Sequence, residues 1–428
     1  HASTTAAYTF HVPSAHKPWH WAFTSCNGTT DDAVAVKSGG ISVMWRDVLA
    51  RHKASPLHLA VGGGDQIYND AVFSGPLLGS FDKASTDAET AERLAAPLTE
   101  AMRREMEQYY LAHYCLHFAE DAFSAALASV PQLSTWDDHD IFDGYGSYSD
   151  QLQASPVIRG VFGAAKAFYL LFQCHTTEAR MQDDGMFGGS TNQLVQLGGD
   201  TALLLLDTRM QRTLNQVVAP PVYDKMSELL SALPPSTSHV VVVTGVPVLY
   251  PKLPVEKLLS TIGSFVAGTN PIAILSQKTG LAQLVNSRFG QPEILDDLAD
   301  HWNARSHQDE RDRLLRMLLK VASDQRVRVS LLAGDVHVAG CASLFTVDTN
   351  THPGIDQDIV RLQAACPANE DVGYVMQVIA SAIGNEPPPS AVVKALEAAG
   401  VLPVQMLDKS MAWKCEQVRS GPASSEDT

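Results

Sequence analysis

The chain has 428 residues, of which 45% are hydrophobic and 18% are charged, as in an ordinary globular protein. This length allows one large α/β domain or two smaller ones. The net charge of −16 argues against nucleic-acid binding, because no basic face is available to neutralise phosphates. No uninterrupted run of about 18 apolar residues occurs, so a membrane-spanning helix is not expected. An acidic chain can still bind an anionic substrate if metal ions mediate the contact.

The six cysteines stand far apart and form no Cys-x-x-Cys pair, which argues against a disulfide framework or a zinc knuckle. Unpaired cysteines lean towards a cytoplasmic location. The chain starts at His1, however, and a removed signal peptide would be compatible with export. The sequence therefore leaves the compartment open, and it does not indicate an oligomeric state.

Short apolar runs that end in polar or glycine residues predict buried strands at 21–25, 57–61, 131–135, 203–206, 240–244, 329–332 and 375–380. Helical patterns lie between them at 42–52, 89–128, 162–172, 307–322 and 391–399, and the pattern over 89–128 is divided near Pro97. This alternation indicates α/β layers. We expect a single domain over residues 1–415, with loop insertions at 74–88 and 249–283. A polar, disordered tail is expected over 416–428.

The second predicted strand leads into Gly-Asp-Gln-Ile-Tyr at residues 64–68. A carboxylate at a strand end can bridge two cations, so Asp65 is a candidate ligand, and the phenol of Tyr68 could return to one of them. A tyrosinate needs a strongly Lewis-acidic ion such as ferric iron, because the free phenol titrates near ~10. The competing interpretation is a strand-end turn with a packed tyrosine.

The third predicted strand is followed by Trp-Asp-Asp-His-Asp at residues 136–140. Adjacent acids repel each other unless a cation compensates them, which makes Asp138 a candidate ligand. His139 lies too close to Asp138 in sequence to reach the same ion easily. It is better placed to protonate a leaving oxygen while a carboxylate holds it. A helix N-cap is the alternative role for these acids.

Two further strand ends carry candidate ligands. Asp335 and His337 stand two residues apart, and in an extended segment such side chains point the same way and can address one metal site. The alternative there is a polar strand end. A lone cysteine such as Cys26 is usually a small core residue. In the company of the other motifs, its soft thiolate would complete a ferric site.

Two other positions carry open alternatives. Arg209, in Asp-Thr-Arg at 207–209, could bind phosphate oxygens through its planar fork or could form a structural ion pair with an acid. His301 stands just before a predicted helix, where a surface or capping role is favoured over lining the rim of a pocket.

The order of these motifs from Cys26 to His337, with a weaker match over 381–389, resembles the PhoD-like branch of the metallophosphatase superfamily. The resemblance implies a four-layer α/β/β/α metallophosphatase sandwich with helical and loop insertions and a site at the strand ends. PhoD-like enzymes hold an iron–calcium centre. By this likeness Fe³⁺ and Ca²⁺ would be bound by Cys26, Asp65, Tyr68, Asp138, Asp335 and His337, with Zn²⁺, Mn²⁺ or Mg²⁺ as alternatives.

The expected activity is metal-dependent hydrolysis of phosphoesters, as a phosphomonoesterase or phosphodiesterase of alkaline-phosphatase type. A hydroxide held by the metals would attack phosphorus. Arg209 would clamp a non-bridging oxygen and His139 would protonate the leaving alkoxide. The alternatives are a phospholipase-type diesterase and a catalytically silent metal- or phospholipid-binding module on the same fold. A serine hydrolase is not expected, because the sequence contains no Gly-x-Ser-x-Gly elbow.

Overall fold

The computed structural model describes residues 8–14, 18–30, 34–36, 39–79, 81–82, 87–250, 287–289, 291–292, 300–347, 366–388, 393, 405–407 and 410–419. The strands in these ranges are β1 (Trp21–Thr24), β2 (Leu59–Gly63), β3 (Gln132–Thr135), β4 (Met186–Phe187), β5 (Asn192–Leu197), β6 (Thr201–Leu205), β7 (His239–Thr244), β8 (Ser287–Arg288), β9 (Gln291–Pro292), β10 (Arg328–Ala333), β11 (Ala339–Thr346), β12 (Val375–Ile379), β13 (Gln405–Met406) and β14 (Met411–Arg419). The helices are α1 (Ser42–Ala54), α2 (Asp87–Ala95), α3 (Glu100–His117), α4 (Asp121–Ser129), α5 (Asp150–Gln153), α6 (Pro156–Phe172), α7 (Pro220–Ser231) and α8 (Gln308–Gln325). Single 3-10 turns lie at Asp70–Ser74, Asp138–Asp140 and Glu178–Arg180.

Local sequence explains where several helices begin. The side chain of Thr99 accepts a hydrogen bond from the backbone N–H of Met102 and caps α3. Ser155 caps α6 in the same way, with proline at the first helical position. The pattern over 89–128 was expected to give two helices and contains three, namely α2, α3 and α4. Most of the predicted helix at 391–399 and most of the insertion at 249–283 lie outside the described residues.

Two larger sheets form the centre of the fold. Strands β1, β2 and β3 are parallel and form one sheet. The other has the order β13-β14-β11-β12-β10-β7-β6-β5-β4, and its central strands β12, β10, β7 and β6 are parallel. The sheets pack face to face through aliphatic side chains, among them Leu59, Val61, Leu203, Leu205, Val241 and Val243. This arrangement explains why every residue of β2 is buried.

Helices cover the outer faces. α7 and α8 pack on the far side of the mixed sheet through side chains such as Met226, Leu230, Leu315 and Leu318. α1 and α4, which lie in the connections between the parallel strands of the smaller sheet, pack together around Trp45 and Phe123. The expected four-layer α/β/β/α fold is therefore confirmed. α3 and α6 form a further helical core with an aromatic cluster.

The last described strand continues past the predicted start of the tail. β14 pairs with β11 up to Arg419, which is opposite Ala339, so residues 416–419 belong to the mixed sheet. Residues 420–428 lie outside the described ranges. Across the described ranges, no helix combines the length and the apolar character needed to cross a membrane.

Candidate metal centre

The predicted ligands lie on turns where strands of both sheets end. The backbone N–H of Cys26, after β1, donates to the carbonyl of Gly64, after β2, at 3.2 Å. The N–H of Gly334, after β10, donates to the carbonyl of Gly245, after β7, at 2.8 Å. Each of these bonds joins strand ends within one sheet, and the N–H of Gly384, after β12, donates to the carbonyl of Cys26 at 3.0 Å and joins the two sheets. The carboxyl ends of strands therefore meet at one edge, which is where α/β folds bind ligands.

Four of the predicted ligands adopt the left-handed backbone conformation that favours glycine. The φ angles are 54° for Cys26, 56° for Asp65, 69° for Asp335 and 54° for His337. Asp335 and His337 therefore lie in a bend, and the expectation of an extended segment that points both side chains the same way is wrong. For L-residues the left-handed conformation costs about 1–2 kcal/mol each. Such residues persist only where the surrounding structure enforces them, and they cluster at functional sites. Their coincidence with the predicted ligands supports a built site at the strand ends.

A compact group of buried carboxylates lies at the centre. One oxygen each from Asp65, Asp137, Asp138 and Asp335 lie within 4.8 Å of one another, and a second group joins Asp65, Asp138 and His139 at the same spacing. Burial raises the pKa of Asp65 and of Asp335 well above the ordinary value, and the nearby carboxylates raise both further. Like charges gathered in a buried place are costly unless a cation compensates them or a proton neutralises them. This donor set therefore fits metal ions.

Asp137 was missed as a member of this group. Burial raises its pKa to about 7, although the guanidinium of Arg209 lowers it. Its Oδ2 is buried and accepts no hydrogen bond from the residues that the structure describes. Two glycines leave room for it, because a Cβ on Gly64 would lie 2.6 Å from Asp137 Cβ and one on Gly245 would lie 2.5 Å from Asp137 Cγ. The adjacent acids at 137–138 were the available sequence signal.

The softer donors lie on one side of Asp65. The Sγ of Cys26 is 3.7 Å from Asp65 Oδ2, and the Tyr68 hydroxyl is 2.9 Å from His337 Nε2. His337 Nδ1 lies 3.1 Å from the carbonyl of Glu386, which orients the ring and directs Nε2 towards the site. Burial raises the pKa of Cys26 to about 12. The structure thus brings the thiol to Asp65 and the imidazole to Tyr68, whereas Cys26 and His337 lie outside the two close groups of ligand atoms found among the described residues.

His139 is held by a carboxylate, and that partner is Asp70. His139 Nδ1 lies 2.8 Å from Asp70 Oδ2, and the ring stacks on Tyr68 with centroids 4.1 Å apart. Burial lowers the pKa of His139, but the charges of Asp70 and Asp138 outweigh burial, and its pKa lies well above the ordinary value. Asp70 follows the 64–68 motif directly, but nothing in the sequence links it to His139.

Arg209 lies inside the acidic group and is fully buried. Its two terminal nitrogens bind the two oxygens of Asp300 at 2.6 Å each, and Nη2 also donates to Asp138 at 3.3 Å. Nε donates to Asp137, and Nη1 also donates to the carbonyl of Tyr145. All five N–H donors of the guanidinium are thus engaged. The geometry is that of the structural ion pair, and a phosphate clamp would require Arg209 to release one of these partners.

Asp300 was not predicted, and it brings its neighbour His301 to the site. His301 Nε2 lies 3.8 Å from Asp335 Oδ2, and the ring meets Tyr250 edge-on at 5.3 Å. Burial lowers the pKa of His301 to about 4. The expected surface or capping role therefore does not describe this residue, which lines the site. The role of Asp300 could not be predicted from sequence spacing, because its partner Arg209 lies far away in the chain.

A sequence model of the family described as PhoD related phosphatase matches residues 2–274 and 265–410. The uncharacterized protein YGR266W of Saccharomyces cerevisiae is 30% identical over 430 residues, which cover 91% of this chain. The chain spans 60% of the length of that relative. The chain therefore belongs to the family of PhoD-related phosphatases. This membership supports phosphoester hydrolysis in general, and the carboxylate–histidine cluster supports metal binding.

Two solved structures are also similar. A structure of PhoD is 15% identical with a TM-score of 0.46, covering 85% of this chain and 56% of that one. A dimetal phosphatase from Danio rerio is 11% identical with a TM-score of 0.37, covering 86% of this chain and 89% of that one.

Proposed function

We propose that this chain hydrolyses phosphomonoesters or phosphodiesters with two cations bound at the strand-end cluster. The supporting observation is the convergence of four carboxylate oxygens, from Asp65, Asp137, Asp138 and Asp335, within 4.8 Å of one another. Cations bound there would lower the pKa of a water molecule and neutralise charge on the phosphoryl group. Family membership supports the same class of reaction.

The donor types suggest how the ions would be divided. Asp65 and Asp138 each belong to both close groups of ligand atoms, and Asp65 also contacts Cys26, so we propose that Asp65 is shared between the two ions. The iron side would be held by Cys26, Tyr68 and His337. The calcium side would be held by Asp138 and Asp335, whose oxygens suit a hard cation. Asp137 lies next to these proposed calcium ligands but is already paired with Arg209.

His139 is proposed to protonate the leaving alkoxide. Its Nδ1 is committed to Asp70, so Nε2, which lies 3.8 Å from Asp143 Oδ1, is the nitrogen left to meet the substrate. The side chain is 21% exposed, which leaves the ring accessible from the open side of the site. The carboxylates of Asp70 and Asp138 raise its pKa above the ordinary value, which favours the protonated ring that a general acid needs. A proton donor in this position contributes about 10²–10⁴ in rate.

The central test compares three single variants of the full chain. Asp65→Asn should lose metal and activity together, because a shared ligand is removed. His139→Ala should keep its metal and lose turnover by about 10²–10⁴. Asp47→Asn is the matched control, since Asp47 forms an exposed ion pair with Arg51 on α1. Metal content and p-nitrophenyl phosphate hydrolysis are measured on each. Wild-type turnover by Asp65→Asn would contradict the proposal.

Metal identity and ester class need separate measurements. Ferric iron bound to a thiolate or a phenolate absorbs visible light, so Cys26→Ser and Tyr68→Phe should each change the absorption band. A colourless, zinc-loaded wild type would overturn the iron assignment without contradicting the proposed hydrolysis.

A model diester assayed against a model monoester on one preparation would distinguish a phosphodiesterase or phospholipase from a monoesterase.

A further inference from the structure

The segment at residues 300–307, just before α8, places an imidazole beside the proposed calcium side. His301 Nε2 is 3.8 Å from Asp335 Oδ2, and the two side chains are 17% and 21% exposed. That distance is too long for a hydrogen bond. Both groups therefore face the accessible part of the site without being bonded to each other.

The residues around His301 are firmly anchored. Asp300 binds Arg209 through both carboxylate oxygens, and Ser147 donates to it at 2.5 Å. On the other side, Trp302 is fully buried, and His307 Nδ1 lies 3.3 Å from the carbonyl of His301. Because both flanks are fixed, the imidazole is already ordered, and a ligand that meets it loses little further conformational freedom.

His301 stands beside the cation cluster and outside it. Like Cys26 and His337, His301 belongs to neither of the two close groups of ligand atoms in the described part of the chain, and its Nε2 stands 3.8 Å from Asp335, beyond hydrogen-bond distance. Arg209, the arginine that could have bound phosphate, has all its donors engaged by protein acceptors. A protein donor that acts on the phosphoryl oxygens together with the cations therefore has to be another side chain that reaches the open side of the cluster.

We propose that His301 is that donor, and that it hydrogen-bonds a non-bridging phosphoryl oxygen of the substrate next to Asp335. This inference rests on the proposed phosphoester hydrolysis. It gives the two imidazoles different tasks. His139 transfers a proton to the leaving group, whereas His301 holds the phosphoryl group. Loss of His301 therefore weakens substrate and phosphate binding more than it slows turnover.

The experiment uses metal-loaded full chain with His301→Leu and His301→Gln, and with His20→Gln as a surface histidine control. Metal content, thermal midpoint, KM, kcat and the dissociation constant of inorganic phosphate are measured. His301→Leu should raise KM and the phosphate constant about 10- to 100-fold, the range for a hydrogen bond to a charged group. Its metal content should be unchanged. His301→Gln keeps an N–H donor and should recover part of the loss.

Two results would overturn the assignment. Wild-type KM and wild-type phosphate binding in both His301 variants would show that the ring does not contact substrate. Loss of one equivalent of metal from His301→Leu would show that the ring is a ligand instead. If wild type hydrolyses no phosphoester, the proposed function fails, and phosphate titration of the metal-loaded protein still decides the role of His301.

Discussion

Replacing Arg209 by methionine would remove the guanidinium that lies among three buried carboxylates, with two contacts of 2.6 Å to Asp300. Breaking a buried ion pair by deleting one partner costs about 3–5 kcal/mol, because the remaining charge is left uncompensated. Asp137 and Asp138 also lose a positive neighbour. We therefore expect Arg209→Met to lower the free energy of unfolding of the metal-free protein by about 5 kcal/mol or more.

Urea unfolding of chelator-treated protein, followed by fluorescence, measures this loss. Arg51→Met is the control, because Arg51 and Asp47 form an exposed pair whose removal should leave stability nearly unchanged. A double variant, Arg209→Met with Asp300→Asn, should lose less than the sum of the single changes, because it removes both charges. If Arg209→Met unfolded at the wild-type midpoint but raised KM, Arg209 would be a phosphate clamp and the structural interpretation would be refuted.

Two further variants test the turn and the buried histidine. Gly64→Ala should destabilise the protein by about 1–3 kcal/mol and weaken metal binding, because φ is +104° and the new Cβ would meet Asp137 at 2.6 Å. Gly163→Ala, in open space on α6, should be neutral or stabilising, and equal thermal midpoints for both variants would contradict this argument. Burial lowers the pKa of His117 to about 4, so the unfolded chain binds the proton more tightly than the folded chain does. The free energy of unfolding should therefore fall by up to roughly 3 kcal/mol as the pH drops from about 6.5 to 4. His117→Gln should reduce this dependence of stability on pH, and His20→Gln should not. An unchanged pH dependence in His117→Gln would contradict the lowered pKa of His117.

The strands that carry the site were predictable because they are short apolar runs buried on both faces, as β2 and β7 are. β5 and β11 were not predicted. β5 alternates polar and apolar residues and lies towards an edge, and β11 contains small residues that carry little pattern. The helix α7 was also missed, because its segment begins with two prolines, which are common in loops as well as in the first turn of a helix.

The candidate site divides in a similar way. Residues at strand ends, such as Asp65 and Asp335, could be proposed because parallel strands deliver their ends to one edge. Asp70 and Asp300 could not, because each acquires its role from a partner brought close only by tertiary folding. The two possible roles of Arg209 could not be separated in the sequence either, since the choice depends on which acids surround its guanidinium.

The turns at the strand ends are joined to one another through main-chain hydrogen bonds. The N–H of Asn27 donates to the carbonyl of Asp65 at 2.7 Å, and the N–H of Gly384 donates to the carbonyl of Cys26 at 3.0 Å. Backbone bonds of this kind need no metal, unlike small domains that fold only when an ion binds. We therefore expect the chain to fold before it takes up its ions. The ions available at that moment would decide which holoprotein is made.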